Sequence, residues 1–347
     1  MSVTIADVAA RAGVSKTTVS RVLNGKGDLH ESTAARIREA MVELGYVPSS
    51  RGVSLGRDRN SVVAMLVPSL SWPWVGEIVQ GAVDVIEAEG YGLMLLTCNR
   101  TDQSMKRFAS HVSASAFDGL LVVQEEGTRD YISGLHTRSR PVVVIDDRQS
   151  SANYPGVSTT NRWGAQLAAQ HLADLGRRRP AVITGPLGFR CTRERTEGFV
   201  ETFAAAGLPV DPSRVVPGLF TYESGVLAVE RLFRERVQFD SLFAHNDLSA
   251  AGAMARVQAA GLRVPEDVAV IGFDDAPMAA QASPPLTTVR QPCRDMGEAA
   301  ARLLMAQLDG TTDHDIQTVI PATLVVREST QPCVELPTTV AAGHRAV

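Results

Sequence analysis

A helical head followed by a two-lobed α/β core, with two doubly wound parallel sheets, is the fold class this sequence predicts. Three observations predict it. The first is a pair of short amphipathic helices around a Gly-Val-Ser turn in TIADVAARAGVSKTTVSRVLNG, Thr4 to Gly25. The second is a regular alternation, from Ser61 onward, of short β-branched runs with amphipathic stretches, as in parallel strands covered by helices. The third is size: 347 residues with 44% hydrophobic composition exceed one ordinary core and suit two or three domains.

The net charge of −4 excludes a molecule that binds polyanions with its whole surface. The first 60 residues differ, with nine Lys/Arg against six Asp/Glu, so only this basic head is expected to meet an anion. Cys98, Cys191, Cys293 and Cys333 lie far apart, without zinc-ligand spacing or a dense disulfide framework, and read as reduced thiols. No apolar run is long enough to span a bilayer, and no basic-then-apolar signal peptide opens the chain. A cytoplasmic location with no membrane association is expected.

In the head, Thr4 suits the N-cap of a first helix, with Asp7 completing a capping-box variant. Ile5, Val8, Ala9 and Ala12 form one apolar face, and Gly13 suits the left-handed position that ends the helix. Ser15 caps the next helix at once. Its buried side is Val19, Val22 and Leu23; Lys16, Thr17, Ser20, Arg21 and Asn24 face the other way, all donors and none acidic. A third helix runs from Glu31 to Leu44, with Ile37, Ala40, Met41 and Leu44 inward and Gly45 as its stop. His30, Ser32 and Asp28 compete to cap it. Two helices around a tight Gly turn, the second offering donors at its start, match a helix-turn-helix whose second helix fits the DNA major groove. Its N-terminus also directs free N–H groups at phosphates. The alternative is a three-helix bundle that only packs on the body.

TIADVAARAGVSKTTVSRVLNG followed by TAARIREAMVELGYVP resembles, without a gap from Thr4 to Pro48, the DNA-binding head of the LacI family of bacterial transcription regulators. The resemblance implies an all-α helix-turn-helix head in which Lys16 and Thr17 read operator bases. It also implies that Thr18, Ser20 and Asn24 hold phosphates and that Arg21 reaches bases or backbone, with Thr4 and Tyr46 completing the set. For each residue alone, the alternative is a solvated helix face.

Residues 49–60, SSRGVSLGRDRN, read as a flexible linker on their own, since an interior Gly costs a helix about 1 kcal/mol relative to Ala. In the resembled family this segment becomes a helix when two chains pair on DNA, and a leucine at the position of Leu55 wedges into the minor groove. Gly52-Val53 stands where the family usually has Ala-Arg, which implies a floppier hinge.

The body alternates the strands SVVAMLVP, LMLLT, GLLVV, PVVVID, AVIT, SLFAH and VAVIGF with helices. The helices are expected over Val75 to Glu89, Arg162 to Leu175, Arg193 to Ala206, Ser224 to Arg234 and Leu248 to Ala260. Two doubly wound lobes with a cleft between strand C-terminal ends follow. No G-x-G-x-x-G follows a strand, and no G-x-x-x-x-G-K-[ST], nucleophile elbow or H-E-x-x-H occurs, so no cofactor, metal or enzymatic activity is expected. GPLGFRCTRERTEGF, AHNDLSAAGAM, VPEDVAVIGFDD and PPLTTVRQP resemble the LacI-family core, which is similar to periplasmic sugar-binding proteins. The likeness extends from Thr4 to about Arg327 and implies lobe crossings near Asn161, Val289 and Pro321. The expected domains are 1–48 (head), 49–60 (hinge) and 61–330 (effector and dimerisation core), with a disordered tail at 331–347. Within the core, the N-lobe covers about 61–160 and 290–320, and the C-lobe about 161–289 and 321–330.

Several polar or aromatic residues fall at strand ends, the binding edge of such sheets. Asn246 and Asp247 follow SLFAH, Asp274 and Asp275 follow VAVIGF, and Arg193 and Arg195 follow AVITGPLG. Trp72, Trp74 and Phe220 lie in loops. The resemblance implies that Asp274 accepts two ligand hydroxyls, that Asn246 and Arg195 hydrogen-bond the ligand, that Phe220 stacks on it, and that Trp74 and Val75 contact its ring. SWPW departs from the family, which often has Asn at the position of a Trp. Blander readings stand beside these. Asp247 caps the next helix, Asp275 caps or turns, and Trp163 is core or ligand wall. His245 is a satisfied strand-end histidine, Arg177-Arg178-Arg179 is a solvated turn, and Cys191 is inert.

The resemblance implies a homodimeric repressor that reads two half-sites of a near-palindromic operator and responds to a small effector, a sugar or sugar derivative, or else a purine or nucleoside. The tail QPCVELPTTVAAGHRAV lacks the leucine heptad of tetrameric members, so a dimer is expected. A solute-binding transport protein would carry a signal peptide and no helix-turn-helix. An enzyme on paired lobes would give its carboxylates an acid/base partner.

Overall fold

The computed structural model describes residues 3–23, 30–46, 60–70, 72–97, 103, 117–123, 140–146, 155–311 and 316–331. The head is three helices, α1 (Ile5–Ala12), α2 (Lys16–Leu23) and α3 (Glu31–Leu44). Val8, Ala9, Ala12, Val19, Ile37 and Ala40 close its core, with Ile5, Leu23, Leu44 and Tyr46 at the margin. α1 starts where the Asp7 carboxylate accepts the Thr4 N–H at 2.8 Å and the Thr4 hydroxyl at 2.7 Å. It stops at Gly13 (φ +67°), beyond which the Val14 N–H reaches back to the Ala9 carbonyl at 3.0 Å. His30 takes the position before α3, with Nδ1 3.1 Å from the Ser32 hydroxyl.

The body begins with β1 (Val62–Val67), α4 (Pro73–Ala88), β2 (Gly92–Thr97), β3 (Gly119–Val123), β4 (Val142–Ile145) and β5 (Gly156–Thr159). It continues with α5 (Asn161–Asp174), β6 (Pro180–Ile183), α6 (Arg190–Ala205), β7 (Val215–Val216), α7 (Tyr222–Arg234), β8 (Ser241–Ala244) and α8 (Asp247–Ala259). Last come β9 (Ala269–Asp274), α9 (Pro277–Gln281), β10 (Thr287–Arg290), α10 (Cys293–Leu308), β11 (Gln317–Ile320) and β12 (Thr323–Val325). The strands form two six-stranded sheets, ordered β11-β5-β4-β3-β1-β2 and β12-β10-β9-β8-β6-β7. The first is parallel throughout; in the second only the β10–β12 pair is antiparallel. Helices cover both faces of a parallel sheet, so β3, β4, β6 and β8 are buried at every residue and read as unbroken apolar runs.

Several helices start earlier than apolar periodicity indicates. α4 begins at Pro73, whose fixed φ suits a first turn. α6 begins at Arg190, and α7 at Tyr222, where the Thr221 hydroxyl accepts the Ser224 N–H at 3.1 Å. In α6 and α7 a largely polar first turn carries no periodic signal.

The chain leaves the first sheet at Thr160, returns at 291–292 and crosses again at 321–322. The first and third crossings are stitched together: the Thr159 hydroxyl donates to the Ile320 carbonyl at 3.0 Å, and the Ala322 N–H donates to the Thr160 hydroxyl at 2.9 Å. α10 returns to pack on α4 in the first core. Their backbones touch: a Cβ on Gly81 would lie 2.1 Å from the Arg294 carbonyl oxygen, and one on Gly297 2.1 Å from that of Ile78. Among the described residues no helix is long and apolar enough to cross a membrane.

Candidate functional site

On the head, Lys16, Thr17 and Arg21 are exposed on α2, while Thr18 and Ser20 are half-buried. The Ser15 hydroxyl accepts the Thr18 N–H at 3.1 Å and lies 2.8 Å from the Thr18 hydroxyl, so Ser15 caps α2 as expected. No acidic side chain occupies the first turn of α2, where one would compete with an incoming anion for the helix N-terminus. Thr4 is engaged in its own cap, its hydroxyl donating to Asp7. Tyr46 is half-buried against the head core, its N–H on the Met41 carbonyl at 2.9 Å. Asn24, Gly52-Val53 and Leu55 lie outside the described residues, as do the rest of the expected hinge up to residue 59, the tail from 332, Cys98 and Cys333.

In the body, the C-terminal ends of β8 and β9 and the start of α6 meet between the sheets. Arg195, on α6, is 3% exposed. Its Nε donates to Asn161 Oδ1 at 2.9 Å and its NH1 to the His245 carbonyl, and its guanidinium lies 3.6 Å over the Phe273 ring. Those partners make a buried cation tolerable. Asp274 ends β9 and accepts from Gln291 Nε2 at 2.5 Å. Burial pushes its carboxyl up to about 7; Arg195 and the Gln291 hydrogen bond oppose that rise, and Asp146 adds to it. His245 is fully buried; burial, then Arg195, hold it well below its ordinary pKa, so the ring is neutral. Its Nδ1 accepts the Gly185 N–H at 3.3 Å, but Nε2 carries no hydrogen bond, so the histidine is only half satisfied.

Asn246, not Asp247, caps α8. The Asn246 Oδ1 accepts the Ser249 N–H at 3.0 Å while its Nδ2 donates to the Phe220 carbonyl at 2.9 Å. Asp247 is the first residue inside α8, 1% exposed. It accepts the Ala276 N–H at 2.7 Å and the Thr288 hydroxyl at 2.6 Å, tying α8 to the β9–α9 turn and to β10. Burial and then the Asp274 charge hold its carboxyl well above its ordinary value.

Four aromatics close over this polar floor. Trp72 stacks on Trp74 with ring centroids 6.0 Å apart and meets Phe220 and Phe189 edge-on at 6.2 and 6.4 Å. Phe220 sits at φ +62°, and its ring fills the space over Gly185, where a Cβ would lie 2.0 Å from it. Asp146 (φ +62°) and Asp274 (φ +111°) share this strained backbone. The centre of the cleft is lined by Trp72, Trp74, Asp146, Cys191, Arg195, Phe220, Asn246, Asp274 and Gln291 and holds about 10 Å³, room for one water. Two larger cavities flank it. One, of about 380 Å³, shares Trp74, Asp274 and Gln291 with the centre; the other, of about 310 Å³, shares Asp146 and Cys191.

Trp72, Trp74, Arg195, Phe220, Asn246 and Asp274 are therefore brought together. Val75 is not among the lining residues; it is 1% exposed within the first lobe's core. Sequence reasoning missed Asp146, Gln291 and Phe189. Asp146 ends the strand PVVVID, so the strand-end rule that singled out Asp274 could have found it too. Arg177 is no solvated turn: its guanidinium donates to the carbonyls of Asp240, Pro265 and Glu266 at 3.2, 2.5 and 3.3 Å. Asp275 does more than turn the chain, pairing with Arg290 and Arg327 at 2.6 Å each. Trp163 is 52% exposed and belongs to no core. Among the described residues no cluster of three or more His, Cys, Asp or Glu could hold a metal ion.

Comparison with known proteins bears on the family and the fold. The family profile for bacterial regulatory proteins of the lacI family matches residues 4–49, and that for the periplasmic binding protein-like domain matches 169–330. The HTH-type transcriptional regulator CelR of Thermobifida fusca is 34% identical over 342 residues, covering 94% of this chain and 98% of that protein. A solved transcriptional regulator CelR–cellobiose complex superposes with a TM-score of 0.74 at 33% identity, covering 94% of this chain and 99% of that one. The lac repressor dimer bound to operator and the anti-inducer ONPF superposes with a TM-score of 0.85 at 25% identity, covering 95% and 99%.

Proposed function

The chain belongs to the LacI family of bacterial regulatory proteins, and from that membership we propose a homodimeric repressor whose operator affinity is set by a carbohydrate held between its two α/β lobes. It is a DNA-binding transcriptional regulator under effector control. One observation carries the carbohydrate reading. Asp274, Arg195, Asn246 and Gln291 line one small space with Trp72, Trp74 and Phe220. A sugar ring presents hydroxyls at its rim, which donate and accept, and C–H groups on its faces. Carboxylate, guanidinium and amide groups suit the rim, and aromatic rings suit the faces. The relative CelR holds cellobiose in its solved complex.

On this reading Lys16, Thr17 and Arg21 meet base edges, Thr18 and Ser20 meet phosphates, and two heads engage two half-sites of a near-palindromic operator. The centre of the cleft admits one water, so a ring enters only as Trp72 and Phe220 part. Parting them turns one lobe on the other about the crossings at 160, 291–292 and 321–322, and that rotation re-spaces the paired heads. Effector and operator then compete through a shared two-state element. As a regulator of chromosomal genes the protein acts in the cytoplasm.

The test uses the full-length protein on sheared genomic DNA of its host. One or a few near-palindromic sites should be retained, and a pool of mono- and disaccharides should release them. Only diffuse, salt-labile retention would sink the sequence-specific reading. Release by nucleosides and by no sugar would sink the carbohydrate reading.

A further inference from the structure

Trp163 stands on the first turn of α5 with half its surface in water, an unfavourable place for an indole with no core contact to make. It walls the cavity of about 310 Å³, at the small end of the roughly 300–1,000 Å³ that small-molecule sites occupy. Ser158, Gln166 and the Arg190–Glu194 ion pair, closed at 2.5 Å, line the same cavity, and the half-exposed Val319 of β11 adds an apolar edge. The cavity shares Asp146 and Cys191 with the centre of the cleft and so adjoins it. The flat apolar face beside a polar rim repeats the chemistry of the centre. The cavity on the other side differs. Its one aromatic, Trp74, is already stacked on Trp72, and its Asp275 is held by both Arg290 and Arg327.

We propose that the effector is an oligosaccharide of at least two rings: one gripped at the centre by Asp274, Arg195 and Asn246, and the next stacked on Trp163 in the outer cavity. The proposal rests on the carbohydrate reading above and adds the length of the ligand and the residue that selects it. A monosaccharide fills only the centre. A longer chain gains the indole face and the outer hydroxyl partners.

Calorimetry on the full-length protein tests this with matched mono-, di- and trisaccharides of glucose, galactose, mannose and xylose in their common linkages. At least one di- or trisaccharide should bind about tenfold or more tighter than its component monosaccharide. Trp163→Ala should collapse that ratio to within about threefold, and Trp163→Phe, which keeps a flat ring, should retain most of it. The exposure of Trp163 makes both variants tolerable to the fold. Equal affinity for one ring and for every longer chain overturns the proposal and leaves the carbohydrate reading standing. So does a ratio that persists in Trp163→Ala. Binding of no carbohydrate at all overturns both.

Discussion

Trp72, at the start of α4 in the first lobe, meets Phe220, ahead of α7 in the second, with ring centroids 6.2 Å apart and planes at 75°. The contact spans the cleft and occupies the space a ligand ring would take. An edge-to-face pair contributes about 0.5–1.5 kcal/mol beyond its burial. Burial of the rings and the second edge-on contact, Trp72 to Phe189 at 6.4 Å, add to that amount.

Trp72→Ala removes the contacts to Trp74, Phe189 and Phe220 together. The lobes should then part more often, and amide hydrogen exchange at 184–189 and 218–221 should quicken by about tenfold without effector. Exchange rates matching the parent would show that the aromatic contacts do not hold the cleft.

Asp274 gives a pH signature. Its folded pKa of about 7 stands above the ordinary carboxyl value of 3.8, so the folded protein holds this proton more tightly than the unfolded chain. The stability it contributes is fully present below about pH 4 and is lost as pH rises through about 7. Asp274→Asn should flatten the melting temperature against pH over that interval; parallel curves would refute the assignment. The ionised carboxylate is the stronger acceptor, so effector affinity should also rise with pH through about 7, and this variant should show no such rise.

Lys16→Ala and Thr17→Ala alter exposed side chains on the first turn of α2. Each should relax half-site preference by about 1–3 kcal/mol at the base it contacts while leaving the melting temperature unchanged. Selection from a randomised operator library reads this directly, and an unaltered consensus would remove both from the reading set.

Gly225 and Gly252 sit where α7 and α8 touch. A Cβ on Gly225 would lie 2.0 Å from the Ser249 carbonyl oxygen, and one on Gly252 2.0 Å from that of Tyr222. Gly225→Ala should destabilise the protein by about 1–3 kcal/mol or more, because a backbone oxygen has to give way. Gly76→Ala is the control: nothing lies within 4 Å of its Cβ position, so helix propensity alone should make it neutral or stabilising by up to about 1 kcal/mol. Equal thermal denaturation of the two variants would contradict the close contact.

The head was legible because its signals are local. Thr4 and Asp7 start α1, Gly13 ends it and Ser15 opens α2, all within a dozen residues. Seven strands were legible, most of them as plain apolar runs; β5 (GVST) and β10 (TTVR) are buried yet polar in sequence, and β7, β11 and β12 are short or partly exposed, so these five were not. What escaped depends on partners distant in sequence. Asn246 and Asp247 are both good capping residues, and only Thr288 and Ala276 reveal that the second is claimed elsewhere. Arg177 reaches carbonyls at 240, 265 and 266. Gln291 joins the cleft because the chain recrosses there, and no periodicity marks a crossing.

The three crossings also set an order of events during synthesis. β5 of the first sheet leaves the ribosome early, but α10 and β11, which complete that lobe, come last. At roughly 5–20 residues per second, the nascent first sheet waits on the order of ten seconds for its covering helix. Until then the face of α4 that α10 covers lacks that partner, a natural target for a chaperone. A premature stop before residue 293 would therefore spoil the lobe made first as well as the one being made.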